Sequence, residues 1–248
     1  MLNLNEQLVH LLGRQIIQGK ILPGTLLPKV EVMSEQYAVS RTVVREALKG
    51  LSSRKLVVSI PKKGTVVCAR NEWQWWDPEV LSWACEDTPD YNFLQQLTEM
   101  RLAIEPTSSE LAAKNATQED IKNITDSFQK LESSAVNRSE SEWAIADYNF
   151  HQSIMAASHN ELLINLGNLL RNALLQSRQE TIKGYSNDEK DSSISKEQAL
   201  ILHKNVYLAI CKRNSIEARQ TMYDLILNVN KILEKGKEKI KNEIKMNF

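Results

Sequence analysis

Asp147 and His151 stand four residues apart in ADYNFHQSIMA, on the same helical side as Ile154, and His203 interrupts the apolar run ALILHKNVYLAI beside Val206 and Tyr207. A buried charge needs a partner. An Asp and a His at i, i+4 can meet that need as a hydrogen-bonded structural pair. With His203 added, one carboxylate and two imidazoles become a donor set for a divalent cation such as Zn, Ni, Mn or Fe, and three protein ligands leave positions open for a ligand's oxygens. Arg101 is the next candidate, on the Leu97 and Ile104 side of its helix. Its guanidinium either offers an anionic ligand two parallel bonds or pairs with Glu105 at i+4.

A second chemistry lies nearer the start. In SRTVVREALKGL, positions 44, 47, 48 and 51 are Val, Ala, Leu and Leu, the i, i+3, i+4, i+7 stripe of an amphipathic helix, and Arg41, Arg45 and Lys49 share the other side. Ser40 can cap this helix, which leaves Arg41 and Thr42 at its exposed first turn. Taken alone, this is an ordinary solvated basic face.

The surrounding elements decide what the arginines can reach. Leu8, Leu11, Leu12 and Ile16 mark a first helix over 6–18, ended by Gly19 and Pro23-Gly24. A short second helix follows in LLPKVEVMSEQY, and Ala38-Val39-Ser40 joins it tightly to the basic helix, giving a helix-turn-helix pattern. LVVSI and TVVCA then flank Pro61, Lys62, Lys63 and Gly64 and read as a hairpin with a basic tip. Three helices and a ribbon describe a winged helix-turn-helix. The major groove of B-DNA admits one such helix, and lysines on a hairpin tip meet the adjacent backbone. The charge distribution agrees: residues 1–70 hold 11 Lys and Arg against 4 Asp and Glu, or +7, and the remainder holds 20 against 27, or −7.

Residues 71–90 contain four of the five tryptophans and read as a Trp-rich linker that clamps domains or chains together; its acidity disfavours base stacking. From 91 to 248 the pattern is helical throughout, with runs at 143–157, 162–175, 197–212 and 216–234, the last capped by Ser215. The expected fold is therefore mainly α: a winged helix over 1–70 and an antiparallel helical bundle over 91–248, whose core is where a ligand site would form. The lysine-rich tail EKGKEKIKNEIKMNF reads as a solvated helix, and His10 and His159 as surface or capping residues. Cys68, Cys85 and Cys211 are too few and too scattered for a disulfide framework or a CxxC site. There is no apolar run of about 18 residues and no signal-peptide pattern at the start, so the expected setting is cytoplasmic, without a membrane.

The stretch from LPGTLLPKV to KKGTVV, with its PG, LP, SR and VREAL marks across 22–67, resembles the GntR-type winged helix. The resemblance implies that Arg41, Thr42, Arg45 and Gly64 meet DNA. Where many members carry an Arg in the second helix, this chain has Glu31, which leaves three options: a shifted register, substitution by Lys29, or a different operator. MRLAIEPTSSELAA, DYNFHQSIMAASHNELL and HKNVYLAICKRNSIEARQTM resemble the FCD ligand-binding domain of the FadR branch over most of 95–226. That resemblance implies a divalent metal, Zn, Ni or Mn, held by an Asp and three His. Asp147, His151 and His203 match the first three, and the fourth position falls on Leu225, which cannot ligate. The site is then either a three-ligand metal site or a set of hydrogen-bond partners for a polar effector, with Arg101 matching the arginine that reaches an anionic ligand.

The implied function is transcriptional repression by a homodimer on a pseudo-palindromic operator, since pairing two half-sites multiplies affinity and specificity. Release would come from a small anionic metabolite: a sugar acid (aldonate or hexuronate) first, a hydroxycarboxylate such as lactate second. Two other classes compete: a metal-dependent hydrolase built on Asp147, His151 and His203, for which the sequence shows no general base or oxyanion donor, and an architectural DNA-binding protein without effector response.

Overall fold

A computed structural model describes residues 3–86, 90–136, 139–183 and 195–246, with side chains up to 234 in the last helix. Within the polar stretch expected before the last two helices, residues 184–194 lie outside the described residues, as do the tail's side chains from 235 onward. The chain divides into two compact units, Met1–Asp90 and Tyr91–Phe248.

The first unit opens with helix α1, Leu4–Ile17. Asn3 starts it with a capping box: Glu6 N–H donates to Asn3 Oδ1 at 3.0 Å, and Asn3 N–H donates back to the Glu6 carboxylate at 2.9 Å. Leu8, Leu12 and Ile16 bury one face. Helix α2, Val30–Gln36, buries Met33, and Ala38 turns the chain at φ +52° into helix α3, Arg41–Ser53. Ser40 Oγ caps α3 by accepting from Val43 N–H at 3.2 Å, and Val44, Ala47 and Leu51 are wholly buried. Helices α1 and α3 approach closely at Gly50, where a Cβ would lie 2.9 Å from a Val9 methyl.

Strands β1, Val57–Ile60, and β2, Gly64–Val67, pair antiparallel from Val57 opposite Val67 to Ile60 opposite Gly64. Residues 24–27 add an edge to this ribbon, with Leu27 N–H donating to the Thr65 carbonyl at 2.8 Å and Val67 N–H to the Thr25 carbonyl at 3.0 Å. Two leucines before a proline are too short a pattern to announce a strand, so this edge is absent from the sequence reading.

The described residues of the tryptophan-rich stretch belong to the first compact unit. Helix α4, Pro78–Trp83, is capped by Asp77, whose Oδ1 accepts from Glu79 N–H at 2.9 Å. Trp83 packs on Gly13 of α1 and donates its indole N–H to His10 Nδ1 at 2.8 Å, which gives His10 a specific partner. Trp73, also buried, donates to the Cys68 carbonyl at 3.0 Å. Burial, with Glu86 and Asp90 nearby, pushes the Cys85 thiol up to about 12.

The second unit is all helical among its described residues: α5 Tyr91–Asn115, α6 Gln118–Val136, α7 Glu140–Ala157, α8 Glu161–Leu169, α9 Arg171–Lys183, α10 Lys196–Cys211 and α11 Ser215–Met246. Its core joins Ile124, Phe128, Phe150, Ile154, Val206 and Ile226. Phe128 and Tyr207 stack at 4.9 Å between ring centres. Two local expectations are corrected. The run read as one helix from 162 to 175 breaks at Leu170, whose backbone (φ −84°, ψ 0°) ends α8 before α9 begins. The cap of α11 is Asn214, whose Oδ1 accepts from Glu217 N–H at 3.2 Å, so Ser215 is the first helical residue. His159, half exposed, hydrogen-bonds Asp120 through Nε2 at 2.8 Å. No helix among the described residues is long and apolar enough to cross a membrane.

Candidate functional site

The first unit presents α3 as designed by its own pattern. With its apolar stripe fixed against α1, the residues left outside are Arg41, Thr42, Arg45, Glu46 and Lys49, all exposed. Lys49 differs from the others in donating to Glu46 at 2.8 Å on the same helix. Lys62 and Lys63 are exposed at the ribbon tip, where Lys62 adopts φ +64° and Lys63 N–H closes the turn on the Ile60 carbonyl at 3.1 Å. Gly64 follows at φ +116°, a conformation that favours glycine. Lys29 and Glu31 are both exposed around the start of α2.

In the second unit, helices α5, α7, α9, α10 and α11 enclose a narrow cavity lined by Arg101, Asp147, His151, Arg178, His203 and Leu225, with Trp143, Thr181, Ile182 and Val229 completing its wall. Arg101, His151, Arg178 and His203 are each at most 4% exposed, so every polar atom here must be accounted for. Arg101 Nε donates to Glu105 Oε1 at 2.6 Å. The other Glu105 oxygen faces His151 Nδ1 at 2.5 Å. His203 turns Nδ1 to the Ala199 carbonyl at 2.7 Å and Nε2 to Asp147 Oδ1 at 2.6 Å. Arg178 donates from Nε to the second Asp147 oxygen and from Nη1 to the Leu174 carbonyl at 3.3 Å, while its buried Nη2 meets no hydrogen-bond partner.

These partners fix the ionisation of the carboxylates. Burial would raise Glu105, but the Arg101 guanidinium and the His151 ring outweigh it and hold the carboxyl well below the usual range. Asp147 is likewise opposed by burial and pulled far down by Arg178, His151 and His203. Burial lowers His151, with Glu105 and Asp147 only partly offsetting it.

Asp147, His151 and His203 can each offer one ligand atom, and these lie within 4.8 Å of one another. The donor chemistry fits a three-ligand divalent site. A carboxylate at Nδ1 of His151 and a carbonyl at Nδ1 of His203 orient each ring with Nε2 toward Asp147, the usual support for a metal-binding imidazole. Leu225 lines the same cavity and supplies no donor. The sequence reading thus has its four effector candidates in one place, and Arg101 both pairs with Glu105 and lines the cavity. It missed Arg178. The signal was present: Arg178 sits between Leu174 and Ile182 at i−4 and i+4 in an otherwise buried stripe, the same test that singled out Arg101.

A basic winged helix together with an all-helical unit holding a charged cavity is the architecture of a DNA-binding transcriptional regulator. Residues 4–67 match the family described as bacterial regulatory proteins, gntR family, and residues 96–228 match the FCD domain. The chain belongs to the GntR family of bacterial transcriptional regulators, in its FadR-like branch with an FCD domain. That family is one of regulators rather than enzymes, which sets the hydrolase expectation aside. It is 28% identical to the galactonate operon transcriptional repressor of Escherichia coli K12 over 94% of this chain and 98% of that protein. It is 30% identical to the HTH-type transcriptional regulator LutR of Bacillus subtilis 168, over 88% and 95%, and 30% identical to the Uxu operon transcriptional regulator of Escherichia coli K12, over 88% and 82%. Among solved structures, the Listeria monocytogenes regulator Lar, described as controlling expression of the agr system, superposes with a TM-score of 0.63 at 16% identity, covering 95% of this chain and 98% of that one. This likeness concerns the fold.

Proposed function

We propose that the protein is a repressor that binds a pseudo-palindromic operator as a homodimer and leaves it when a sugar acid, an aldonate or hexuronate, occupies the FCD cavity. The observation that carries this reading is the pair of buried guanidiniums, Arg101 and Arg178, lining one cavity with Asp147, His151 and His203. A guanidinium fork matches a carboxylate, and the neighbouring imidazoles and carboxylate suit hydroxyl groups. The named operons of two relatives, galactonate and uxu, support the same effector class. In the DNA-binding unit, Arg41, Thr42 and Arg45 are the base- and phosphate-reading residues, Lys62, Lys63 and Gly64 the wing contacts, and Lys49 a phosphate contact reached by releasing Glu46.

Asp147, His151 and His203 would hold a divalent cation, Zn, Ni or Mn, which would supply a Lewis-acidic anchor for carboxylate and hydroxyl oxygens. Ligand binding releases DNA only if the ligand favours the conformation with weaker operator affinity.

The test is a thermal-shift screen with D-galactonate, D-glucuronate and L-lactate, with and without chelator, followed by operator competition with each hit. At a hundredfold excess over Kd, a ligand stabilises by about 2.7 kcal/mol, which such a screen resolves. D-galactonate or D-glucuronate is expected to raise the melting temperature and free the DNA. A response to lactate alone would replace the sugar acid, and stabilisation without DNA release would overturn the sensing role. Arg45→Ala is expected to reduce discrimination between operator and random DNA, where an architectural binder would only weaken.

A further inference from the structure

In the FCD cavity each buried guanidinium already faces a carboxylate. Arg101 is paired with Glu105 and Arg178 with Asp147. A divalent cation entering alone would add two uncompensated positive charges to a buried cluster, next to a guanidinium seated on one of its own ligands. A carboxylate entering alone would add an uncompensated negative charge. Either is costly at this depth, and together they offset each other. Arg178 connects the two events. Its Nε holds Asp147, while Nη2, on the same planar group, is buried without a hydrogen-bond partner, a costly state that an acidic ligand would relieve.

We propose that Arg178 is an internal occupant of the cavity: it neutralises Asp147 until an acid takes the guanidinium, which frees Asp147 for a divalent cation, so that acid and cation bind with positive coupling. The proposal rests on reading the cavity as an acid-binding site. By linkage the coupling is reciprocal, so it is readable from either ligand. Arg178 is a positioning residue for the cation and a direct contact for the acid. The sequence motif of one carboxylate and two histidines does not contain this competition, because Arg178 reaches it from a different helix, α9.

Calorimetric titration of the full-length protein with Ni²⁺, alone and with saturating D-galactonate, tests this directly. In the wild type, D-galactonate is expected to tighten Ni²⁺ at least about fivefold, the lower end of ordinary allosteric coupling. Arg178→Gln removes the competitor, so Ni²⁺ alone should bind more tightly than to the wild type, and D-galactonate should no longer change it. Circular dichroism checks that the variant folds. If it does not, Arg178→Lys keeps the charge, loses the fork, and should shrink the coupling. Equal Ni²⁺ affinity with and without bound D-galactonate in the wild type overturns the proposal, as does coupling that survives Arg178→Gln or that Arg178→Lys leaves undiminished. Failure of D-galactonate to bind the wild type at all counts against the acid-binding reading by itself. The Ni²⁺ arm then decides alone: tighter binding in Arg178→Gln supports the competition, and unchanged or absent binding overturns it.

Discussion

At Glu105 two side chains converge, Arg101 Nε at 2.6 Å and His151 Nδ1 at 2.5 Å, and both of its oxygens are used. Removing one partner of a buried ion pair costs about 3–5 kcal/mol, because the other charge stays behind without compensation. Glu105→Ala should therefore lower the stability of the FCD unit by about that much, read as a fall in its urea midpoint, and should also release the orientation of His151. A loss below about 1 kcal/mol would mean that water enters and solvates Arg101. At this scale the sequence was a partial guide. Arg101 and Glu105 were legible as an i, i+4 pair, but the second bond from Glu105 to His151 joins residues 46 positions apart, which no local spacing encodes. Arg178 and Asp147 are 31 apart and hidden for the same reason.

Among the elements, α1 and α4 show how a single atom sets a packing distance. A Cβ on Gly13 would lie 2.4 Å from the Trp83 ring, so Gly13→Ala must displace the indole and strain its bond to His10. Overpacking of this kind costs about 1–3 kcal/mol, and the DNA-binding unit should melt correspondingly lower, while Trp83→Phe, which loses the hydrogen bond but relieves the crowding, should partly rescue the double variant. Additive losses in that cycle would separate the two contacts. Helices α1, α2, α3 and the ribbon were readable because their apolar periodicity, the cap at Ser40 and the Pro-Lys-Lys-Gly turn are local signals. The edge at 24–27 and the packing of Trp83 on Gly13 were not, since each is settled by what a segment packs against.

For the whole molecule, the +7 carried by residues 1–70 against −7 in the rest concentrates the affinity for a polyanion in the winged helix. Operator binding should weaken steeply with salt, and Lys62→Ala should reduce the slope of log K against log salt by about 1, with a similar loss on operator and random DNA, because a phosphate contact positions without specifying sequence. An unchanged slope would remove the wing tip from the interface. By itself the sequence determined the class: a basic helix-turn-helix and ribbon followed by an acidic helical half, with Asp147, His151, His203 and Arg101 singled out because polar groups interrupted apolar stripes. Those signals repeat every two to four residues and need no knowledge of neighbours. Only the tertiary structure decided that five helices bring these residues into one cavity, and that Arg178 enters it from α9 to neutralise Asp147. Charge compensation in a buried site depends on distance in space, and distance in space is set by how whole helices pack.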